Sequence, residues 1–149
     1  MEQDRHPDEH VRFARYRAAF ARVAPDGAAA LIGRVLADPD AQMANSAVCE
    51  YLDRRGAELL TDPGFPAWQA QMAGPVAADS FAGRRLHEWS LIRSVELGEG
   101  AGELTEASTW CQLRVAEHSH APAALAQLAD DGRTRRVRHI ARDRLRRAG

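Results

Sequence analysis

The chain has 149 residues, of which 45% are hydrophobic, and a formal net charge of −1. This length can bury the core of one domain, and the apolar content excludes a wholly disordered chain. All twenty basic residues are arginine, which is typical of a high-GC bacterial genome, although arginine also suits bidentate contacts to anions. The near-zero total hides an asymmetry, because residues 133–149 carry a charge of +7 and residues 1–132 carry −8.

Features of targeting and redox chemistry favour a cytoplasmic protein. Residues 1–10 are charged and lack the apolar centre of a signal peptide. The longest apolar stretch, residues 28–32, is far shorter than the roughly 18 residues of a transmembrane helix. Cys49 and Cys111 lie within apolar helical patterns, so we expect two buried thiols rather than a disulfide or a metal site.

Helical periodicity runs from one end of the chain to the other, and no alternating strand pattern interrupts it. We predict about eight helices, of which the first begins at Pro7. Asp40 and Thr105 are predicted to cap the third and sixth helices. The turns that separate the helices are predicted at residues 25–27, 38–40, 61–66, 73–75, 98–102 and 130–132, with a further break between His118 and Pro122.

Two of the predicted helices have a well-defined apolar face. The helix that ends near Leu97 is expected to align Phe81, Trp89, Ile92 and Val95. The last helix is expected to bury Val137, Ile140, Ala141, Leu145 and Ala148. Its opposite face carries Arg135, Arg138, Arg142 and Arg146, while Arg144 falls inside the apolar arc and is expected to pair with a buried acid or to extend past the core.

Two helix–turn–helix segments repeat at an offset of 93 residues. In this alignment Ile32, Val35, Asp38, Val48 and Leu52 match Leu125, Leu128, Asp131, Ala141 and Leu145. Within these segments, residues 36–48 (LADPDAQMANSAV) and residues 128–141 (LADDGRTRRVRHIA) resemble the HEAT-like (armadillo-type) helical repeat family. The second fits in its Asp131 turn and in Val137 and Arg138, whereas the first has Asn45 where an arginine is usual. Residues 61–102 depart from the pattern. The resemblance implies a right-handed α-solenoid, formed by residues 1–149 as a single domain, and a protein-binding scaffold without catalytic residues.

The basic last helix has three interpretations. It is the polar outer face of a terminal repeat, which has no neighbour to cover it. Alternatively, it contacts an acidic protein partner or the acidic surface of a neighbouring subunit in a homo-oligomer. In the third interpretation, Arg135, Arg138, Arg142 and Arg146 contact the phosphates of a nucleic acid. The acidity of the remaining chain counts against the third, because it repels the same polyanion.

Trp68, Trp89 and Trp110 fall on three successive helices, where core packing is the favoured interpretation. The alternative is a tryptophan-lined groove, with Arg85 beside it, in a small-molecule-binding protein or an enzyme. A HEAT-like family of DNA glycosylases uses such a groove, and the nearby candidates here are Asp79, Arg84, Arg85 and Arg93. The chain is shorter than that family and lacks its motifs.

Recognisable catalytic and metal motifs are absent from the sequence. His118 and His120 lie at a helix end with poor spacing for a shared tetrahedral site. The glycines of residues 98–102 follow no strand and precede no Gly-Lys-Ser/Thr, so they are interpreted as a linker. We therefore predict a non-enzymatic protein-binding module without cofactor, metal or membrane contact, and with nucleic-acid binding as the alternative.

Overall fold

A computed structural model describes residues 8–148, so Pro7, the predicted first helical residue, lies outside the described range. Within residues 8–148 all regular structure is helical, which confirms the all-α prediction. The α-helices are α1 (Glu9–Arg22), α2 (Ala28–Leu36), α3 (Ala41–Glu58), α4 (Phe65–Ala73), α5 (Phe81–Glu96), α6 (Thr109–His118), α7 (Pro122–Asp131) and α8 (Arg135–Ala148), and two 3₁₀ segments cover Pro25–Gly27 and Ala101–Glu106. The chain forms two compact units, Met1–His87 and Glu88–Gly149, whose boundary lies within α5.

In the first unit, α3 packs against both α1 and α2, and α2 also packs against α4. Its largest fully buried side chains are Phe65, Ile32, Leu52 and Met72. Asp40 caps α3 as predicted, since its carboxylate accepts a hydrogen bond of 3.0 Å from the Met43 amide. These contacts satisfy one orphan amide of the longest helix and bury its apolar face.

The prediction for Phe81 is wrong, because 53% of this residue is exposed. The first two turns of α5 instead bury Ala82 and Leu86. The backbone before α5 approaches the helix closely at Gly83, since a Cβ added there would lie only 2.1 Å from the Ala77 carbonyl oxygen. Phe81, the first residue of α5, lies outside this contact, with the Arg85 guanidinium 5.4 Å from its ring centroid.

A buried ion pair joins α1 to the turn between α2 and α3. The Asp38 carboxylate accepts hydrogen bonds from Arg12 Nε at 2.9 Å and from the Tyr16 hydroxyl at 2.6 Å. It also accepts one from the Asp40 amide at 2.9 Å, and its side chain is fully shielded from solvent. Burial alone would raise the pKa of Asp38, but the hydrogen bonds from Tyr16, the Asp40 amide and Arg12 outweigh it and lower the pKa.

The internal repeat differs at its two aspartates. Asp38 is buried, whereas Asp131, its counterpart in the second segment, is exposed and accepts a hydrogen bond from Gln127 at 2.8 Å. The two aspartates that the sequence aligns therefore have different structural roles, since Asp38 lies in a turn and Asp131 ends α7.

In the second unit, α8 packs against α6 and α7, and α7 packs against the 3₁₀ segment Ala101–Glu106. Gln112 on α6 is fully buried among these elements. Its Nε2 donates to the Leu104 carbonyl at 2.7 Å, and its Oε1 accepts from the Arg133 amide at 2.8 Å. One buried amide thus fixes both the 3₁₀ segment and the turn that starts α8.

The predicted cap at Thr105 is wrong, because this residue lies in the 3₁₀ segment. Ser108 caps α6 instead, with its hydroxyl oxygen accepting from the Cys111 amide at 3.2 Å. Glu88 fixes Ser108 by accepting from its amide and from its hydroxyl, each at 2.8 Å. This partner is twenty residues away in sequence, which local cap patterns do not reveal.

The glycine-rich stretch before the 3₁₀ segment is a defined turn. Gly98 and Gly100 have positive φ values of 90° and 68°, which only glycine adopts readily. The Glu99 amide donates to the Ser94 carbonyl at 2.7 Å and thereby folds the chain back on α5.

Replacing the buried acid, Asp38→Asn, should lower the free energy of unfolding at pH 7 by about 3 kcal/mol, because it removes the charge that Arg12 faces. The folded-state pKa of Asp38 lies below its unfolded value, so its stabilisation exists above the unfolded pKa, about 3.9, and is lost as pH falls through the folded value. Urea unfolding at several pH values should show a smaller acid-induced loss for the variant. An equal loss in both proteins would contradict this role.

Replacing Gly83→Ala should destabilise the fold by at least about 1 kcal/mol, because the new methyl group would overlap backbone carbonyl oxygens of Ala77 and Ala78. Gly102→Ala is the matched control, since nothing lies within 4 Å of a Cβ built there. Thermal unfolding should give a clearly lower midpoint for the Gly83 variant alone. Equal midpoints would mean that the contact relaxes without cost.

Candidate functional site

Helix α8 presents the cationic face that the sequence predicts. The helix begins after a turn in which the Thr134 hydroxyl accepts from the Val137 amide at 3.1 Å. Val137 and Ala141 are fully buried, as predicted for its inner face. Ile140 and Leu145 are only half-buried and Ala148 is exposed, so the predicted apolar arc is too wide. Helix α8 therefore packs against the second unit through a narrow apolar stripe, and most of its surface is not covered by other residues.

The four predicted binding arginines separate into two groups. Arg135, Arg142 and Arg146 are exposed on the outer face. Arg138 is half-buried, and its Nη1 donates to the Gly132 carbonyl at 2.6 Å. The prediction that Arg138 shares the exposed face with the other three arginines is therefore wrong. Arg146 also contacts Asp143 on the preceding turn at 3.0 Å, an exposed pair of small energetic value.

Two further arginines of this segment support the fold. Arg144, which lies in the apolar arc, donates from Nη1 to the Ala116 carbonyl at 3.0 Å, in the last turn of α6. The partner of this guanidinium is thus a helix-end carbonyl rather than a buried acid. Arg133 donates from Nε to the Ala107 carbonyl at 2.6 Å and from Nη2 to the Glu106 carbonyl at 3.2 Å.

A shallow depression of about 550 Å³ lies on the outer side of α8. It is lined by His139, Arg142, Leu145 and Arg146. The half-buried Leu145 gives it an apolar element, and the two arginines place positive charge beside it. This combination suits an apolar side chain that is flanked by carboxylates, because both parts of such a group find a complementary surface.

The three tryptophans of the candidate groove do not belong to one compact unit, since Trp68 lies in the first unit and Trp89 and Trp110 lie in the second. In the first unit, Trp68 is 8% exposed, its ring lies 5.4 Å from that of Phe65, and its indole Nε1 has no hydrogen-bond partner among the described residues. Arg85 of the same unit forms an ion pair of 2.5 Å with Asp53. These contacts are those of packed residues.

In the second unit, Trp89 is completely buried and lies edge-on to the half-exposed Trp110, with ring centroids 5.8 Å apart. The guanidinium of Arg114 covers Trp89 at 5.2 Å from the ring centroid. The burial of Trp89 favours the core-packing interpretation that the sequence analysis preferred.

A small pocket between α1 and α3 escaped the sequence analysis. It has a volume of about 130 Å³ and is lined by Arg17, Phe20, Ala47, Glu50, Tyr51 and Arg54. Its charged residues already have partners, since Arg17 pairs with Glu50 at 2.7 Å and Arg54 donates to the Phe20 carbonyl at 3.0 Å. The pairing residues are more than thirty positions apart, so helical periodicity gives no signal for it.

Groups that would serve covalent or metal chemistry are poorly placed. Both cysteines are buried, as predicted, and burial raises the pKa of Cys49 to about 11, which disfavours the nucleophilic thiolate. Among residues 8–148, no cluster of three or more histidine, cysteine or acidic side chains could hold a metal ion. In the same range, no helix has the length and apolar character needed to span a membrane.

Comparison of the chain with protein-family models, with curated proteins and with solved structures finds no match.

The structural and exposed arginines of α8 should differ in their effect on stability. Arg144→Ala should lower the free energy of unfolding by about 1 kcal/mol, because the Ala116 carbonyl loses its charged donor. Arg142→Ala, two residues away on the exposed face, should change it by less than about 0.5 kcal/mol. Urea unfolding of both variants checks this ordering, which a larger loss for Arg142→Ala would contradict.

Proposed function

We propose that the chain is a non-enzymatic protein-binding module of the HEAT-like helical-repeat type, and that the outer face of α8 binds an acidic segment of a partner protein. The observation that carries this proposal is the depression of His139, Arg142, Leu145 and Arg146. It joins an apolar contact to exposed positive charge on a helix that the fold holds rigidly from its inner side. The proposal includes the right-handed solenoid arrangement and a cytoplasmic location. The presence of two cysteines that form no disulfide supports that location.

The exposed arginines of α8, namely Arg135, Arg142 and Arg146, form a cationic stripe whose length supports a short protein segment as the ligand. Arg135 and Arg146 are eleven residues apart, which corresponds to about 16 Å along a helix axis. An extended peptide covers that distance with about five residues. A segment of this size can contact the exposed arginines without reaching the rest of the unit.

The same stripe makes nucleic-acid binding the second candidate. Exposed arginines at successive turns of a helix can contact successive phosphates, and such binding would weaken steeply with salt. However, residues 88–132 of the same unit hold eight acids and only two arginines. A duplex longer than α8 meets this negative charge, whereas a five-residue peptide does not, so the acidic segment is favoured.

Fluorescence anisotropy with two labelled probes should distinguish these functions. One probe is a short peptide with a leucine between glutamates, and the other is a DNA duplex. We expect the peptide to bind and the variant Arg142→Gln/Arg146→Gln to weaken it at least tenfold, which corresponds to about 1.4 kcal/mol. Arg15→Gln/Arg22→Gln is the control, because it removes the same charge from exposed positions on α1.

Each alternative outcome contradicts the proposal in its own way. Tighter binding of the duplex, lost in the α8 variant and steeply salt-dependent, would establish nucleic-acid recognition instead. An equal loss of peptide affinity in both variants would show that only net charge matters, and unchanged affinity in both would show that Arg142 and Arg146 do not bind the peptide. Absence of binding to both probes would leave the arginines as the solvated outer face of α8.

A further inference from the structure

The second unit carries an exposed apolar side chain with acidic neighbours. Leu97, directly after α5, is 52% exposed, whereas most large apolar residues of the described chain are buried. Glu99 and Glu103 follow it, and both are exposed. We call Leu97, Glu99 and Glu103 the acidic knob. Its composition is an apolar centre with two negative charges beside it.

The backbone holds the acidic knob together. The Gly98 amide donates to the Val95 carbonyl at 3.0 Å, and the positive φ of Gly98 reverses the chain immediately after Leu97. The Glu103 amide then donates to the Gly100 carbonyl at 3.1 Å. Two glycine turns therefore keep the leucine and both glutamates within one short, hydrogen-bonded segment.

The depression on α8 complements this knob in both polarity and charge. Leu145 supplies the apolar contact, and Arg142 and Arg146 supply two positive charges against Glu99 and Glu103. Since half of Leu97 is exposed, the knob of one chain does not occupy that chain's own depression. Every copy thus displays both a knob and a complementary site.

Hydrogen bonds connect the elements that carry the two surfaces to the end of α6. Glu96, the last residue of α5 and the neighbour of Leu97, accepts from the Ser119 hydroxyl and, at 2.9 Å, from the His120 amide. Arg144 of α8 donates to the Ala116 carbonyl, three residues before Ser119. A contact between two different surfaces of the same chain can be exchanged between two copies about a two-fold axis, so that two equivalent contacts form at once.

We propose that the depression on α8 receives Leu97 of a second copy of this chain, with Arg142 and Arg146 paired to Glu99 and Glu103 of that copy. This inference rests on the proposed function of the α8 face and names its partner. The apolar contact gives affinity, and the charges set orientation and make association sensitive to salt.

Sedimentation of the full chain with charge-exchanged variants tests this contact. The wild type should sediment as a dimer at about 50 mM salt and dissociate at least tenfold more readily at about 500 mM salt. Arg142→Glu/Arg146→Glu and Glu99→Arg/Glu103→Arg should each be monomeric at low salt, because like charges then face each other. An equimolar mixture should recover the dimer, since the reversed α8 face of one variant matches the reversed knob of the other.

The control variant Arg15→Glu/Arg22→Glu should dimerise as the wild type does, and circular dichroism should show that every variant is folded. A wild type that remains monomeric at low salt, or a mixture without recovery, would overturn the inference. Peptide binding that persists in a monomeric wild type would overturn only the second copy as partner. A wild type that is monomeric and also fails to bind the acidic peptide would overturn the proposed function as well.

Discussion

The carbonyl groups at helix ends, which have no partner within their own helix, are the main constraint on this fold. A chain of short helices has many such groups, and arginine satisfies several of them here. Arg54 donates to Phe20 in the last turn of α1, Arg144 to Ala116 in the last turn of α6, and Arg138 to Gly132 at the end of α7. In each case a positive side chain also lies at the negative end of a helix dipole, which adds a favourable electrostatic contribution. The absence of lysine therefore has a structural consequence, because the guanidinium reaches these carbonyls with several fixed donors.

This constraint changes how the charge reversal at residue 133 is interpreted. Arg133, Arg138 and Arg144 contribute to the +7 of the terminal segment, yet each donates to a backbone carbonyl within the second unit. The cations that remain fully exposed at the surface of α8 include Arg135, Arg142 and Arg146. An electrostatic contact with a partner requires such exposed groups, so the candidate surface is smaller than the sequence charge suggests. Its small size is a reason to favour a short acidic segment over an extended polyanion.

The sequence predicted what depends on local spacing and missed what depends on distant partners. The all-α class and the Asp40 cap follow from periodicity and from contacts within four residues, and the structure confirms both. The predicted cap of α6 was wrong because the capping residue, Ser108, is held in place by a hydrogen bond to Glu88, which lies twenty residues earlier. The position of Phe81 was wrong because helical spacing gives the direction of a side chain but not whether another element covers the first residue of a helix. For the site, three of four predicted arginines lie on the exposed face, and the fourth was misplaced because its partner is the carbonyl of a preceding turn. The solenoid arrangement stays a prediction.

The exposure of the α8 face is itself a consequence of burial elsewhere in the unit. Gln112 binds the Arg133 amide and the Leu104 carbonyl, and so fixes the turn from which α8 begins. Because a buried amide that loses one partner carries a desolvation cost, this turn has little freedom to rotate. Val137 and Ala141 then fill the inner side, and their positions on the helix decide that Arg142 and Arg146 face outward. The cationic surface is thus held by a polar contact and two apolar side chains, none of which is charged. A partner that binds this surface meets side chains whose backbone is already ordered, which reduces the entropy lost on association.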